Sequence, residues 1–297
     1  MIEGIPRRVG PIERLTISVA VDPEGRPDRA IGLLIPRPPD TSAQRLLAVD
    51  GLDGWKTEAL ACANSPQRAW LVRDLPAEPR FSMTFGPGAA PTPAPVFDLL
   101  DNRFTRPPRD LQAAIDALVA GEADDEVIVR RVVDHVAARF DYGPRNMQFE
   151  TPMLVCDIAT GNCVDINTVL LSALYAAGIP ATYQAGYWFE ARETGESSDG
   201  MHCWITTRTA MGGERHWDVA HCLQTGVRPV APGLNPAGGV RAAMTWGRGL
   251  RYAVGGIEVE ISHFAQPHWI GADGAATIAP VTTRLTLLEE AVAAASL

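Results

Sequence analysis

Cys163, His202 and Asp218 are the residues of this chain whose types and order suit nucleophilic chemistry. Cys163 opens the run CVDINTVLLSALYAA, residues 163–177, which reads as a helix with Asn162 as its N-cap. Gly178, with Pro180 just beyond, stops it. Apolar residues occupy nearly its whole circumference, so the helix is expected to be buried. A sulfur in the first turn of a helix lies beside unpaired amide N–H groups and the positive end of the dipole, which favour a thiolate. On position alone the other reading, a small buried hydrophobe, stays open.

A thiolate nucleophile needs an imidazole beside it and a third group that fixes the ring. His202 begins the strand-like segment HCWITT, and Asp218 lies in RHWDVA, read as a second strand. A hairpin whose turn centres on Ala210 sets His202 opposite Asp218, whereas a tight turn at Gly212-Gly213 sets Asp218 opposite Thr207. The first register is the expectation. Cys203 should point away from His202 into the core, because neighbours on a strand face opposite ways. Cys156 and Cys222 lack a helix start, and Cys62 lies among the N-terminal extended segments. His216 shares Asp218's face by parity, and Trp204 and Trp217 read as packing residues. The pairs His202-Cys203 and His221-Cys222 offer zinc-type ligands, but no C-x-x-C or H-E-x-x-H spacing accompanies them. No metal and no cofactor are expected.

The elements that must position these residues fall into two parts. Residues 12–85 contain short extended segments (IERLTISVAV, AIGLLIP, WKTEALAC, RAWLVRDL, RFSMTF) punctuated by Pro, Gly and Asp. GPGAAPTPAP, residues 86–95, reads as a linker. The expected domains are therefore 1–95, β-rich, and 96–297, catalytic. In the second part Leu111, Ile115, Leu118 and Val119, then Val127, Ile128, Val132, Val133 and Val136, mark two amphipathic helices before the buried one. Tyr183, Ala185, Tyr187 and Phe189 then alternate on one face of a strand. Residues 191–200, ARETGESSDG, read either as a flexible hairpin tip or as a cover for a cleft. RYAVGGIEVEISHF reads as strand and TRLTLLEEAVAAASL as a terminal amphipathic helix. The fold class is α+β: helices packed on an antiparallel sheet, preceded by a β-rich region.

Composition narrows the function further. With 26 Lys+Arg against 35 Asp+Glu the formal charge is −9, and no basic tract stands out, which argues against nucleic acid as partner. No apolar run approaches the roughly 18 residues of a spanning helix, so no membrane partner is expected. Five cysteines, an odd number in a chain of 297 residues, fit a reducing compartment, and a cytoplasmic protein is expected.

The segments GNCVDINTVLLSALYAAGIPATYQAGYWFE, MHCWITT and RHWDVAHC resemble the transglutaminase-like superfamily of cysteine enzymes, over residues of about 110 to 225. The elements that carry the resemblance are Gly161-Asn162-Cys163, Gly178-Ile179-Pro180-Ala181, Gly186-Tyr187, His202-Cys203-Trp204 and Trp217-Asp218, with Phe140-Asp141-Tyr142 upstream. The chain departs from the family's pattern with Ile166 where an aromatic is frequent, and with Val219 after the aspartate. The resemblance implies a papain-like core and a Cys163, His202, Asp218 triad that attacks a peptide or carboxamide carbonyl. It implies a thioester, resolved by water in a peptidase or amidase or by an amine in acyl transfer. The alternatives are a scaffold that binds peptides without turnover and, more distantly, a metal-dependent hydrolase. Asn162, Asn146 or a Trp are conceivable as the second oxyanion donor.

Overall fold

In the computed structural model the described residues are 7–8, 14–88, 90–190, 195, 197–198, 200–210 and 213–287. The N-terminal part supplies β1 (Leu15–Val21), β2 (Ala30–Arg37), β3 (Gln44–Asp50), β4 (Thr57–Ala61), β5 (Arg68–Val72) and β6 (Arg80–Pro87). Then follow α1 (Arg109–Val119), α2 (Asp125–Ala137), β7 (Phe140–Tyr142), β8 (Ala159–Gly161) and α3 (Cys163–Ala176). The site strands are β9 (Ala181–Phe189), β10 (Met201–Thr209) and β11 (Gly213–Trp217), followed by α4 (Val219–Thr225) and β12 (Val240–Trp246). A hairpin of β13 (Leu250–Val254) and β14 (Ile257–Ile261) leads to β15 (His268–Gly271), β16 (Ala276–Ile278) and β17 (Val281–Leu287). No helix among the described residues is long and apolar enough to cross a membrane.

The fold is α+β. The central sheet runs β11-β10-β9-β12, all antiparallel. The three expected helices form and pack against it in one core that includes Leu111, Val132, Leu170, Leu174, Tyr183, Ile205 and Trp217. β1, β6 and β3 belong to one β-sheet and β2, β5 and β4 to another. Apolar residues of both, among them Ile17, Phe85, Leu33 and Val72, share a second core with Tyr187, Phe189 and Met244 of the central sheet. β9 is thus buried nearly throughout, with Tyr183 and Ala185 in the helical core and Tyr187 and Phe189 in the other.

Several expectations are corrected. The β-rich body does not close at the 86–95 linker, since β17 pairs with β1 and β15 pairs with β2. Strands from the end of the chain thereby cover edges that residues 1–95 alone would leave open, a need that edge strands impose. Residues 283–287, expected to begin a helix, belong to the strand Val281–Leu287, because Val281, Thr283 and Leu285 alternate inward with period two. The remainder of that expected helix lies outside the described residues, as does most of 191–200. RYAVGGIEVEI is a hairpin with Gly255 and Gly256 at its turn. Gln44–Asp50 is a strand that the sequence pattern did not mark.

Candidate active site

The start of α3 is fixed by a capping box. Asn162 Oδ1 accepts from the amides of Val164 at 2.9 Å and Asp165 at 3.4 Å, while Asp165 Oδ2 accepts from the Asn162 amide at 2.9 Å. Gly161 makes this possible, because a Cβ there would stand 2.8 Å from Asp165 Cβ. Asp165 Oδ2 also accepts from the Asn146 amide at 2.7 Å, and Arg145 Nε lies 3.2 Å from Asp165 Oδ1. The Cys163 amide has no protein acceptor among the described residues, so it remains available at the helix start.

Behind the thiol stands β10. Asn167 Nδ2 donates to Cys163 O at 2.8 Å and to Cys203 O at 2.9 Å, clamping the first turns of α3 to the strand. Gly186 lies opposite His202 in the β9–β10 register, and a Cβ on it would come within 1.9 Å of Ala242 O. Only glycine lets β12 approach that closely. β11 pairs with β10 in a register that sets Ile205 opposite Trp217, where the expected hairpin would have set it opposite Arg215. Asp218 is not a strand residue either: it is the N-cap of α4, and its side chain accepts from the His221 amide at 3.1 Å. The chain leaves the sheet at Trp217, and this turn carries the carboxylate to His202 without the expected pairing.

Cys163, His202 and Asp218 are brought together. Cys163 is 7% exposed, and its thiol lies within hydrogen-bonding reach of the side chains of Cys203 and His202. His202 Nε2 lies 3.0 and 3.1 Å from the two Asp218 oxygens, which leaves Nδ1 as the ring nitrogen for the thiol. Hydrogen bonding to Cys203 is the largest influence on Cys163. Together with the hydrogen bond and charge of His202, it outweighs burial and holds the thiol well below its ordinary range. Burial and the neighbouring Cys163 push Cys203 up, so Cys203 is the neutral donor. Burial alone would lower His202, but the charge and hydrogen bond of Asp218 raise it to about 9. Asp218, despite burial, is held well below the carboxylate range by the charges of His202 and Arg241. The arrangement holds a thiolate and an imidazolium side by side, with a carboxylate behind the ring.

Residues 112–218, which span Cys163, His202 and Asp218, match the family model described as the transglutaminase-like superfamily. That segment of the chain is a transglutaminase-like core. Among solved structures it is similar to a protein of Cytophaga hutchinsonii provisionally described as a cysteine protease. That likeness has 15% identity and a TM-score of 0.44, covering 92% of this chain and 97% of that one. It is also similar to the periplasmic domain of TgpA from Pseudomonas aeruginosa, with 18% identity, 72% of this chain and 92% of that chain covered, and a TM-score of 0.35. No curated protein matches the sequence.

Within this transglutaminase-like core, three neighbours escaped the sequence reading. Cys203 lies in the core, as expected, and its side chain also reaches the Cys163 thiol, with Asn167 holding the two backbones together. His221 stacks on His202 with ring centroids 3.6 Å apart and planes within 4°. Its Nδ1 lies 3.2 Å from Asp218 Oδ2 without a hydrogen-bonding direction, and burial with the charge of His202 keeps it neutral. Arg241 of β12 pairs with Asp218 Oδ2 and lies 5.3 Å from the Trp204 ring. Tyr142 stands beside the site as a neutral hydroxyl, raised to about 12 by burial and by the charges of Cys163, Cys203 and Asp218.

His202, Asp218 and His221 bring one ligand atom each within 4.8 Å of one another. They fit a divalent cation poorly. One Asp218 oxygen already bears the Arg241 guanidinium, and both lie within hydrogen-bonding distance of His202 Nε2. A second cation beside a buried guanidinium would meet direct repulsion.

Proposed function

We propose that the protein is a cysteine enzyme that cleaves or transfers an acyl group at a peptide or carboxamide bond. Cys163 is its nucleophile, His202 its acid and base, and Asp218 the carboxylate that orients the ring. The observation that carries this reading is the contact of the Cys163 thiol, at the start of α3, with an imidazole whose Nε2 is 3.0 Å from Asp218. In the first step the thiolate sulfur bonds to the carbonyl carbon, and the C=O π electrons move onto oxygen. The free Cys163 amide donates to that oxyanion. As the carbon–nitrogen bond breaks, His202 gives its Nδ1 proton to the departing nitrogen, and a thioester remains. Water or an amine then adds to the thioester, His202 takes its proton, and the thiolate leaves. Hydrolysis is the preferred outcome, since water needs no second binding site.

The partner is a peptide or small amide. Five unpaired cysteines support a cytoplasmic location, which fractionation of cells expressing the tagged chain would check.

The test is mass spectrometry of the whole chain after incubation with an electrophilic peptide-amide probe. An adduct on Cys163, lost in Cys163→Ala together with turnover of any amide identified as substrate, is the expected result. Alkylation of Cys163 no faster at neutral pH than that of the exposed Cys156 favours the binding scaffold instead. Exhaustive chelation should leave turnover unchanged; its loss would restore the metal-dependent reading.

A further inference from the structure

Arg241 is a charged residue in a strand whose every position is buried, Val240–Trp246. Burying a guanidinium is costly unless a partner compensates it, so its placement calls for a reason. Its partner is Asp218, through Nη1 to Oδ2. Nη2 lies 3.5 Å from Leu234 O, and the guanidinium is 5.3 Å from the Trp204 ring, which also stacks near His202.

The charges of the site give the reason. In its ion-paired form the trio carries a thiolate, an imidazolium and a carboxylate, a net charge of minus one in a buried place. The other groups facing the trio do not cancel it. Cys203 and Tyr142 are neutral, His221 is neutral, Arg145 is shared by Asp165 at the start of α3 and Glu150, and the buried Arg248 stands over the rings of Phe104 and Tyr183 rather than against the trio. Cys222 on α4 is pushed up to about 12, chiefly by burial, and His216 on β11 down to about 4, chiefly by burial, so both are uncharged at neutral pH. Arg241 is the remaining cation in contact, and an arginine stays protonated throughout the working range.

We propose that Arg241 is the positioning residue that closes the charge balance of this site, completing a quartet with Cys163, His202 and Asp218 whose ion-paired form sums to zero, so that the sulfur rests as thiolate. The proposal rests on the cysteine-enzyme reading above. Arg241 touches neither the sulfur nor a substrate in this scheme; it acts through Asp218. Without it, the carboxylate's charge is shared by one cation fewer and weighs directly against the thiolate.

The experiment is the pH dependence of iodoacetamide alkylation at Cys163 in the full-length chain, followed by mass spectrometry with the Cys156 adduct as reference. Wild type is compared with Arg241→Gln, which keeps amide donors but not charge, and with Arg241→Lys, which keeps the charge. In wild type the Cys163 rate should reach its plateau well below the ordinary thiol range. Arg241→Gln should move the midpoint upward by about one pH unit or more, the scale of a lost neighbouring charge. On the limb below the wild-type midpoint, alkylation at a given pH then falls about ten-fold, with the alkaline plateau unchanged. Arg241→Lys should stay within about half a unit of wild type. A folded Gln variant with the wild-type midpoint overturns the proposal. So does a folded Lys variant whose midpoint moves as far as expected for Gln, and this arm decides the matter if the Gln variant does not fold. A wild-type Cys163 without a lowered midpoint sinks the thiolate reading itself, whatever the Arg241 variants do.

Discussion

His202 on β10 and His268 on β15 are imidazoles buried alike, 2% and 4% exposed, in two regions built from antiparallel strands. Yet they titrate in opposite directions. His268 donates through Nδ1 to Gln266 O at 2.9 Å and packs edge-on against Phe264. Burial pushes it down to about 4, and that one carbonyl does not offset the cost of a charged ring. His202 suffers the same burial, but Asp218, together with the Cys163 thiol, raises it to about 9. The difference between the two imidazoles lies in their charged partners, Asp218 first and then the Cys163 thiol, and that carboxylate comes from the turn that ends β11 rather than from a strand.

Asp218→Asn should therefore produce the largest effect. Without the negative charge, His202 should lose its main source of basicity, its midpoint falling from about 9 towards that of His268, with only the Cys163 contact left to raise it. An unprotonated ring cannot give a proton to the leaving nitrogen, so amide turnover should drop by about 10⁴-fold, the scale seen when a triad carboxylate becomes an amide. The change also strands the buried Arg241, at a cost of about 3 to 5 kcal/mol. Histidine NMR titration of the labelled protein reads the first effect directly; a His202 midpoint that stays near 9 in the Asn variant would assign its basicity to another group.

How much of this was legible beforehand varied with how local each signal is. The cap at Asn162, the burial of α3 and the stop at Gly178 were readable, because a helix's boundaries are written within a few residues of its ends. That Cys163, His202 and Asp218 meet was readable from motif order. The route by which Asp218 reaches His202 was not: strand parity was kept, but the register slipped by two, and WDVAHC carries no strong helix signal to betray α4. Arg241 was missed because it belongs to no motif. Its signal was an arginine inside the apolar run VRAAMTW, which as a buried strand demands a counter-charge. The pairing of β17 with β1 joins segments at opposite ends of the chain, and nothing in either sequence names the other.

The two histidines also make opposite predictions for stability. A folded-state value raised from 6.5 to about 9 means that His202 contributes stability fully below pH 6.5, and that this is lost as pH rises through about 9. A value lowered to about 4 means that His268 costs stability as pH falls from 6.5 towards 4, where the unfolded chain binds the proton and the folded one does not. His268→Leu removes that acid-side cost. Its melting temperature relative to wild type should rise as pH is lowered through this window, set against a constant loss of about 1 kcal/mol for the orphaned Gln266 carbonyl. A difference independent of pH across 6.5 to 4 would show His268 to be protonated when folded, and would remove one side of the contrast.

The smallest effect expected is at the other end of the site, and it separates two sources of thiol acidity. A helix N-terminus lowers a thiol's pKa through its dipole and free amides, whereas Cys203 and His202 lower it by direct hydrogen bonding. Asn162→Ala removes the cap that holds the first turn of α3, because Oδ1 no longer accepts from Val164 and Asp165. Loss of an N-cap costs about 1 kcal/mol, so unfolding by urea should show a drop of that order, with Asn162→Asp largely sparing it. The direct partners of Cys163 sit on β10 and are held through Asn167, which the substitution does not touch. The alkylation midpoint of Cys163 should accordingly move by less than about half a pH unit. A shift of a full unit or more in a folded Asn162→Ala protein would assign the thiol's acidity to the helix start, and the contrast between His202 and His268 would then explain the proton donor but not the nucleophile.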